Sequence, residues 1–388
     1  MPSLLHGTAI IAGAAIGAGM LAMPLASAGM GFAWSLLYLA VTVFFLLHAA
    51  LLLLETNLNF APGASFDTFV GETLGPRWKM LNNLALLFVL YVLCYAFTSG
   101  GGSALSGFLA SAAGITVDPR LAGLIFCAAH ALAVFAGSRA VGNVAGVVLF
   151  GMIAAFIASV WLLSVELQPA LLFDAKPADA VYGLAALPVF LAAFGFHGNV
   201  PSLVKYYGAE PGRIVRCLWV GCLVALATYL VWQTAILGQV SREALHAVLA
   251  AGGNVGTLVA AVDGDAGGAV LPVLGLFANL ALVSSFLSGS LGLFDYLADR
   301  FGFADDRRGR AKTTLITFGP PALASALWPD GFLVAIGYAG LAGTVFAVIV
   351  PAFAARAVRR QRGSPRFRLW GGDALIFGVL AYGLTVIA

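Results

Sequence analysis

The chain has 388 residues, 61% of them hydrophobic and 10% charged, with a formal net charge of +3 and a mean hydropathy of +0.98. A soluble domain carries about 25% charged residues, and no water-soluble fold hides this much apolar surface, whereas a bilayer accepts it as exterior. The composition excludes a soluble enzyme and predicts an all-α polytopic membrane protein formed by one domain over residues 1–388.

A span needs about 20 mainly apolar residues. By that standard, spans are predicted to begin near Gly7, Gly31, Leu81, Leu121, Asn143, Gly183, Val215, Ala269, Thr313, Phe332 and Ala374, eleven in all. The longest connections are Thr56–Met80 and Gly238–Gly268. The second contains a helical stretch, Arg242–Val262, expected on the membrane surface.

The first span, GTAIIAGAAIGAGMLAMPLASAG, carries Gly13, Gly17 and Gly19 near its middle and then Pro24. Glycine loosens a helix, and proline removes a backbone donor and clashes with the preceding turn. The sixth span, GLAALPVFLAAFGFHGNVPSLVKY, repeats the device with Gly195, Gly198 and Pro201, and Asn199 is placed to cap its second half. Small residues also serve close helix packing, but matched breaks five spans apart favour a site. They predict two inverted five-helix repeats, about 7–164 and 183–355, plus an extra helix at about 374–388. In such an arrangement half-helix N-termini face a carboxylate and unwound carbonyls face an ammonium. An α-amino acid is then read by backbone alone, through Gly17, Ala18, Gly19 and Met20 on one side and Phe194, Gly195 and Phe196 on the other.

Between and beyond the breaks lie other polar groups. In the third span Tyr91, Tyr95, Thr98 and Gly102 form one stripe, read equally as interhelical glue or as a cavity wall. His197 is the most conspicuous intramembrane ionisable group, a candidate for substrate contact, proton transfer or local support, with Asn199 beside it. His48 and His130 read as packing histidines. In the eighth span Ser284 and Ser285 are candidates for a cation or proton site, against the commoner reading of serines bonded to their own helix. Glu55, Asp295 and Asp299 read as solvated helix ends, with gate ion pairs as the alternative. The four cysteines read as buried apolar groups. No metal-ligand cluster or Ser/His/Asp set appears at membrane depth, so neither a metal nor an enzyme is expected; Asp263 and Asp265 fall in a loop.

With the N-terminus placed in the cytoplasm, only Arg120, Lys176 and Arg242 fall outside, leaving seventeen of the twenty basic residues inside. That asymmetry puts the C-terminus on the periplasmic side. It also accounts for the basic loop Arg356–Arg368 without nucleic acid; lipid or partner binding is the lesser reading.

The segments IIAGAAIGAGMLAMP, LHAALLLLETNLNF, SFDTF, FGFHGNVPSLVKYYG, GLFDYLADRFGF, AIGYAGLAGTVFAVIVPA and GSPRFRLWGG resemble the hydroxy/aromatic amino acid permease family of the amino acid–polyamine–organocation superfamily, over nearly the whole chain. The resemblance implies an eleven-span inverted-repeat fold, proton symport without another cofactor, and import across the bacterial inner membrane. HGNVPSLVKYYG, IVRCL and GSPRFRLWGG point within the family to L-tryptophan as substrate, and GAGMLAMPLASAG to tyrosine as the alternative. A fifth-span lysine that replaces a cation in some superfamily members has no counterpart in Asn143–Ser164. The rivals from other classes are a channel or an amino-acid-sensing receptor with a transporter fold, with an intramembrane enzyme last.

Overall fold

Apolar periodicity without strand-like alternation leaves helix as the way to satisfy backbone polar groups in lipid, and every regular element among the described residues is helical. The computed structural model describes residues 3–62, 64–165, 167–208, 210–262, 270–361 and 367–388. Among the described residues eight helices are long and apolar enough to cross a membrane, nine with one bent pair. In chain order the bent pair is α1a (Leu4–Ala15) and α1b (Gly19–Ala26), followed by α2 (Gly31–Asn57), α3 (Pro76–Ala113), α4 (Pro119–Ala136) and α5 (Ser138–Val165). Then come α6a (Tyr182–Ala193), α6b (Val200–Tyr207), α7 (Pro211–Leu237) and α8 (Val270–Phe301). The tenth is α10 (Phe332–Gln361). The remaining two predicted spans coincide with α9 (Arg307–Leu327), whose start is strongly basic, and the 16-residue apolar α11 (Gly372–Ile387).

Helix starts lie up to six residues before the predicted ones, and at three of them the cause is local. Pro76, Pro119 and Pro211 occupy first-turn positions, where the missing donor costs nothing and φ is preset. The polar residues they introduce extend α3 to 38 residues, about 57 Å at helical rise, well beyond the hydrocarbon layer. Between α4 and α5 only Gly137 intervenes, at φ 116°, a conformation open to glycine alone.

The two long connections are structured. Thr56–Met80 contains a helix at Phe66–Leu74. The stretch predicted as one surface helix, Arg242–Val262, is two, Arg242–Ala250 and Val255–Ala261, parted by Gly252 and Gly253 at positive φ. The first buries Leu245 and Val248 and packs against α1b, so it covers protein rather than lying on lipid. Asp263, Asp265, Arg362 and Arg366 lie outside the described residues.

Helix ends also differ from the solvated reading at one place. Glu55, at the end of α2, is fully buried; Arg359 of α10 donates to its two oxygens at 2.6 and 2.8 Å, and the Leu369 N–H adds a third bond at 2.9 Å. Asp295 and Asp299 are exposed, as read. The four cysteines are buried and free, and among the described residues no group of His, Cys, Asp or Glu is placed to hold a metal.

Candidate functional site at the two helix breaks

Helix α1 is interrupted at Ile16–Ala18 with a 50° bend. The break sits at the glycines, while Pro24 lies inside α1b rather than at the interruption. Helix α6 is interrupted at Phe194–Phe196, followed by a 3-10 turn at His197–Asn199 and then α6b with Pro201 in its first turn. Each break leaves the carbonyl end of one half-helix and the N–H end of another, with partial charges of opposite sign.

The breaks touch each other. A Cβ on Gly19 would lie 2.8 Å from the Ala193 Cα, so the absent side chain of Gly19 admits the main chain of α6a. The sequence reading gave that space to substrate; the structure gives it first to helix contact. Phe194 and Phe196 are buried, whereas Gly195 and Gly198 are exposed. Ala18 and Met20 are buried at the start of α1b.

Neither second half-helix is capped by its own N-cap side chain. The expected cap by Asn199 is absent: Asn199 holds the N-cap position without a side-chain cap bond, because the 3-10 turn carries the chain into α6b at helical φ and ψ (−88°, −8°), not the extended conformation that aims a capping side chain. At α1b the Ala18 N–H donates to Ser285 Oγ of α8 at 2.8 Å. A Cβ on Gly17 would collide with that hydroxyl. Ser285 is thus the exception among its neighbours, since Ser288 and Ser290 bond back to the carbonyls of Ser284 and Phe286, a common habit of helical serine.

His197 is buried, bonded through Nε2 to the Leu46 carbonyl of α2 at 3.0 Å and stacked on Phe196 with centroids 4.6 Å apart. That contact ties the 3-10 turn to α2. His48 and His130 each bond to a carbonyl four residues back, as packing histidines do. The hydroxyls of Tyr91 and Tyr95 donate to the carbonyls of Ile316 and Trp328, both at 2.8 Å. These bonds join α3 to α9 and its exit and spend both hydroxyls there.

The residues the sequence reading missed are on α7. Tyr229 Oη lies 2.6 Å from the Ala15 carbonyl and 2.7 Å from that of Ala193, the last residues of α1a and α6a. Trp232 Nε1–H donates to the Met20 carbonyl at 2.9 Å, and Gln233 Nε2–H to Ser27 Oγ at 2.8 Å. Spacings of three and four put all three on one helix face. Polar atoms recurring at helical spacing in an apolar span were the available signal.

A cavity of about 290 Å³ lies elsewhere, lined by Asp295, Asp305 and Arg310 where α8 and α9 approach each other. Its lining shares no residue with either break.

Two interrupted helices, joined at their breaks inside a polytopic bundle, have the architecture in which multi-pass membrane transporters build their substrate sites. This chain belongs to the tryptophan/tyrosine permease family, whose sequence model matches residues 1–388. It is 49% identical to a tryptophan-specific transport protein of Pseudomonas aeruginosa, covering 99% of this chain and 93% of that protein. It is 45% identical to a tryptophan-specific transport protein of Shigella flexneri, over the same shares. Against a tyrosine permease of Enterobacter agglomerans the identity is 38%, over 93% of this chain and 88% of the relative.

Proposed function

We propose that this protein is a proton-coupled importer of an aromatic amino acid, L-tryptophan before tyrosine, working by alternating access in the bacterial inner membrane. The observation that carries the reading is the meeting of the carbonyl ends of α1a and α6a, bridged by Tyr229, with the half-helix N-terminus of α1b packed against them. A zwitterion supplies the complement to both, a carboxylate for the N–H ends and an ammonium for the carbonyl ends. The family membership and the names of the relatives at 49% and 45% identity favour the aromatic ring and tryptophan.

The exposure pattern supports alternating access. Leu5, Ala9 and Gly13 of α1a, Ser202, Lys205 and Tyr206 of α6b, and Ser288 and Gly292 of α8 are exposed, whereas Met20 to Leu25 of α1b are buried throughout. A path open on the N-terminal side and closed on the other fits one half of such a cycle. The charge asymmetry favours a cytoplasmic N-terminus and a periplasmic C-terminus, and the matched breaks five spans apart favour two inverted repeats followed by α11. No cofactor beyond the proton gradient enters, and the partners are the amino acid, the proton and the surrounding lipid. Ser284, Ser285 and His197 remain the candidates for the proton path.

The test is uptake into proteoliposomes of each aromatic amino acid, with pH and sodium gradients imposed separately. Accumulation above the external concentration, driven by the pH gradient and abolished by a protonophore, is the expected result. Equilibration without accumulation would make the protein a channel, and strict sodium dependence would overturn proton coupling. Stronger accumulation of tyrosine than tryptophan would select the alternative substrate.

A further inference from the structure

Helix α7 follows α1 along most of its length. Cys217 Sγ reaches the Leu4 carbonyl at 3.8 Å, Trp232 bonds Met20, and Gln233 bonds Ser27. Gly221 makes this approach possible, since a Cβ there would lie 2.6 Å from that of Ile11. At the break itself stands Tyr229, fully buried, with its ring edge-on to Phe194 at 4.7 Å between centroids.

The Tyr229 hydroxyl has one proton and two carbonyl oxygens within 2.7 Å. It donates to one of them at a time. Three oxygens therefore gather at the carbonyl ends of α1a and α6a with a single hydrogen among them. Each carbonyl accepts two bonds, and both sit at the negative end of a half-helix. Such a cluster is short of donors and favours a cation that brings several. A primary ammonium brings three.

We propose that Tyr229 is the positioning residue for the substrate's ammonium, holding the Ala15 and Ala193 carbonyls side by side so that their remaining lone pairs converge on one cationic amine. The proposal rests on the amino acid transport reading and names the side chain that organises its amine subsite. Among the described residues no other side chain bridges these two carbonyls, and without the hydroxyl the two half-helix ends lose that link. The effect falls on amine recognition and leaves carboxylate recognition at the α1b N-terminus untouched.

The experiment compares purified wild type, Tyr229→Phe and Tyr229→4-aminophenylalanine in proteoliposomes. Labelled L-tryptophan uptake is measured with tryptamine (amine only) and indole-3-propionate (carboxylate only) as competitors. Tyr229→Phe is expected to raise KM for tryptophan about tenfold, the scale of one lost charge-linked hydrogen-bond arrangement, with kcat nearly unchanged. Tryptamine competition weakens with it, and indole-3-propionate keeps its wild-type potency. The aminophenylalanine variant, which still offers N–H donors, restores KM. Tyr382→Phe, which deletes a buried hydroxyl's bond to Thr42 between α11 and α2, leaves KM within about threefold. An unchanged KM in Tyr229→Phe, an equal loss for indole-3-propionate, or a failure of the aminophenylalanine variant to restore KM would overturn the proposal. Failure of the transport reading shows separately, as wild type that takes up no aromatic amino acid.

Discussion

At the level of single residues, the glycines of the breaks divide into two kinds. A Cβ on Gly19 would meet the main chain of Ala193 at 2.8 Å, whereas Gly13 and Gly198 have nothing within 4 Å. Backbone cannot yield as a flexible side chain does, so Gly19→Ala is expected to cut uptake at least about tenfold, from overpacking of roughly 1–3 kcal/mol, with normal membrane content. Gly13→Ala should retain uptake, since alanine also favours the helix. Uptake measured against immunoblotted membrane content checks both, and equal activity of the two variants would refute the distinction. The sequence made the break of α1 beside Gly17 and Gly19 legible, because glycine inside an apolar helix stands out. It did not show that Gly19 serves a helix contact, since the partner, Ala193, is 174 positions away and carries no chemical signal of its own. Tyr229, Trp232 and Gln233 went unread for a related reason: a polar atom on an apolar span declares that it has a partner without saying which.

Individual elements are held by two charged clusters on opposite sides. Arg242, at the start of the helix Arg242–Ala250, donates to the Ala28 carbonyl at 3.2 Å, to that of Gly29, and to Asp179 at 2.7 Å. It thereby joins the end of α1b to the approach to α6a. Arg242→Ala is expected to raise the thiol-labelling rate of a cysteine placed at buried Leu25, and an unchanged rate would show that the cluster holds nothing shut. Arg242 and the Lys176 N–H hold the Asp179 carboxyl below its ordinary 3.8. A carboxylate lowered on folding contributes above its unfolded pKa and loses that contribution as pH falls through the folded one. The cluster therefore stays ionised across about pH 5–8, and Asp179→Asn should leave the shape of the uptake–pH profile unchanged there. A profile whose midpoint moves would contradict this. Glu55 and Arg359 form the other cluster, with side chains 0% and 6% exposed. Removing one partner strands a buried charge at a cost of about 3–5 kcal/mol, so Glu55→Gln should lower the melting temperature in detergent clearly. Glu55→Gln with Arg359→Met should recover part of the loss; a double variant no better than the single would show that the charge itself is not the cause. Glu55 was misread as a solvated end because its partner is 304 positions away and burial at a membrane boundary leaves no mark in composition.

For the whole molecule, hydropathy and basic-residue asymmetry made the all-helical polytopic fold legible, because the bilayer constrains both strongly. The starts of α3, α4 and α7 moved because hydropathy marks where an apolar run begins, whereas first-turn prolines start the helix in the polar residues before it. Helices α9 and α11 were read from their apolar runs, although the start of α9 is strongly basic and α11 has only 16 residues. The orientation drawn from that asymmetry predicts that a reporter fused after Ala388 is active on the periplasmic side; cytoplasmic activity would refute the odd span count. The central claim is that an aromatic amino acid binds where the breaks of α1 and α6 meet. The most direct measurement is a cryo-EM map of the purified protein with saturating L-tryptophan. The account predicts density with the α-carbon end between Gly17–Gly19 and Phe194–Phe196, the amine toward Ala15 and Ala193, and the ring enclosed by the bundle. Ligand density confined to the cavity by Asp295 and Arg310, with the two breaks unoccupied, would contradict it.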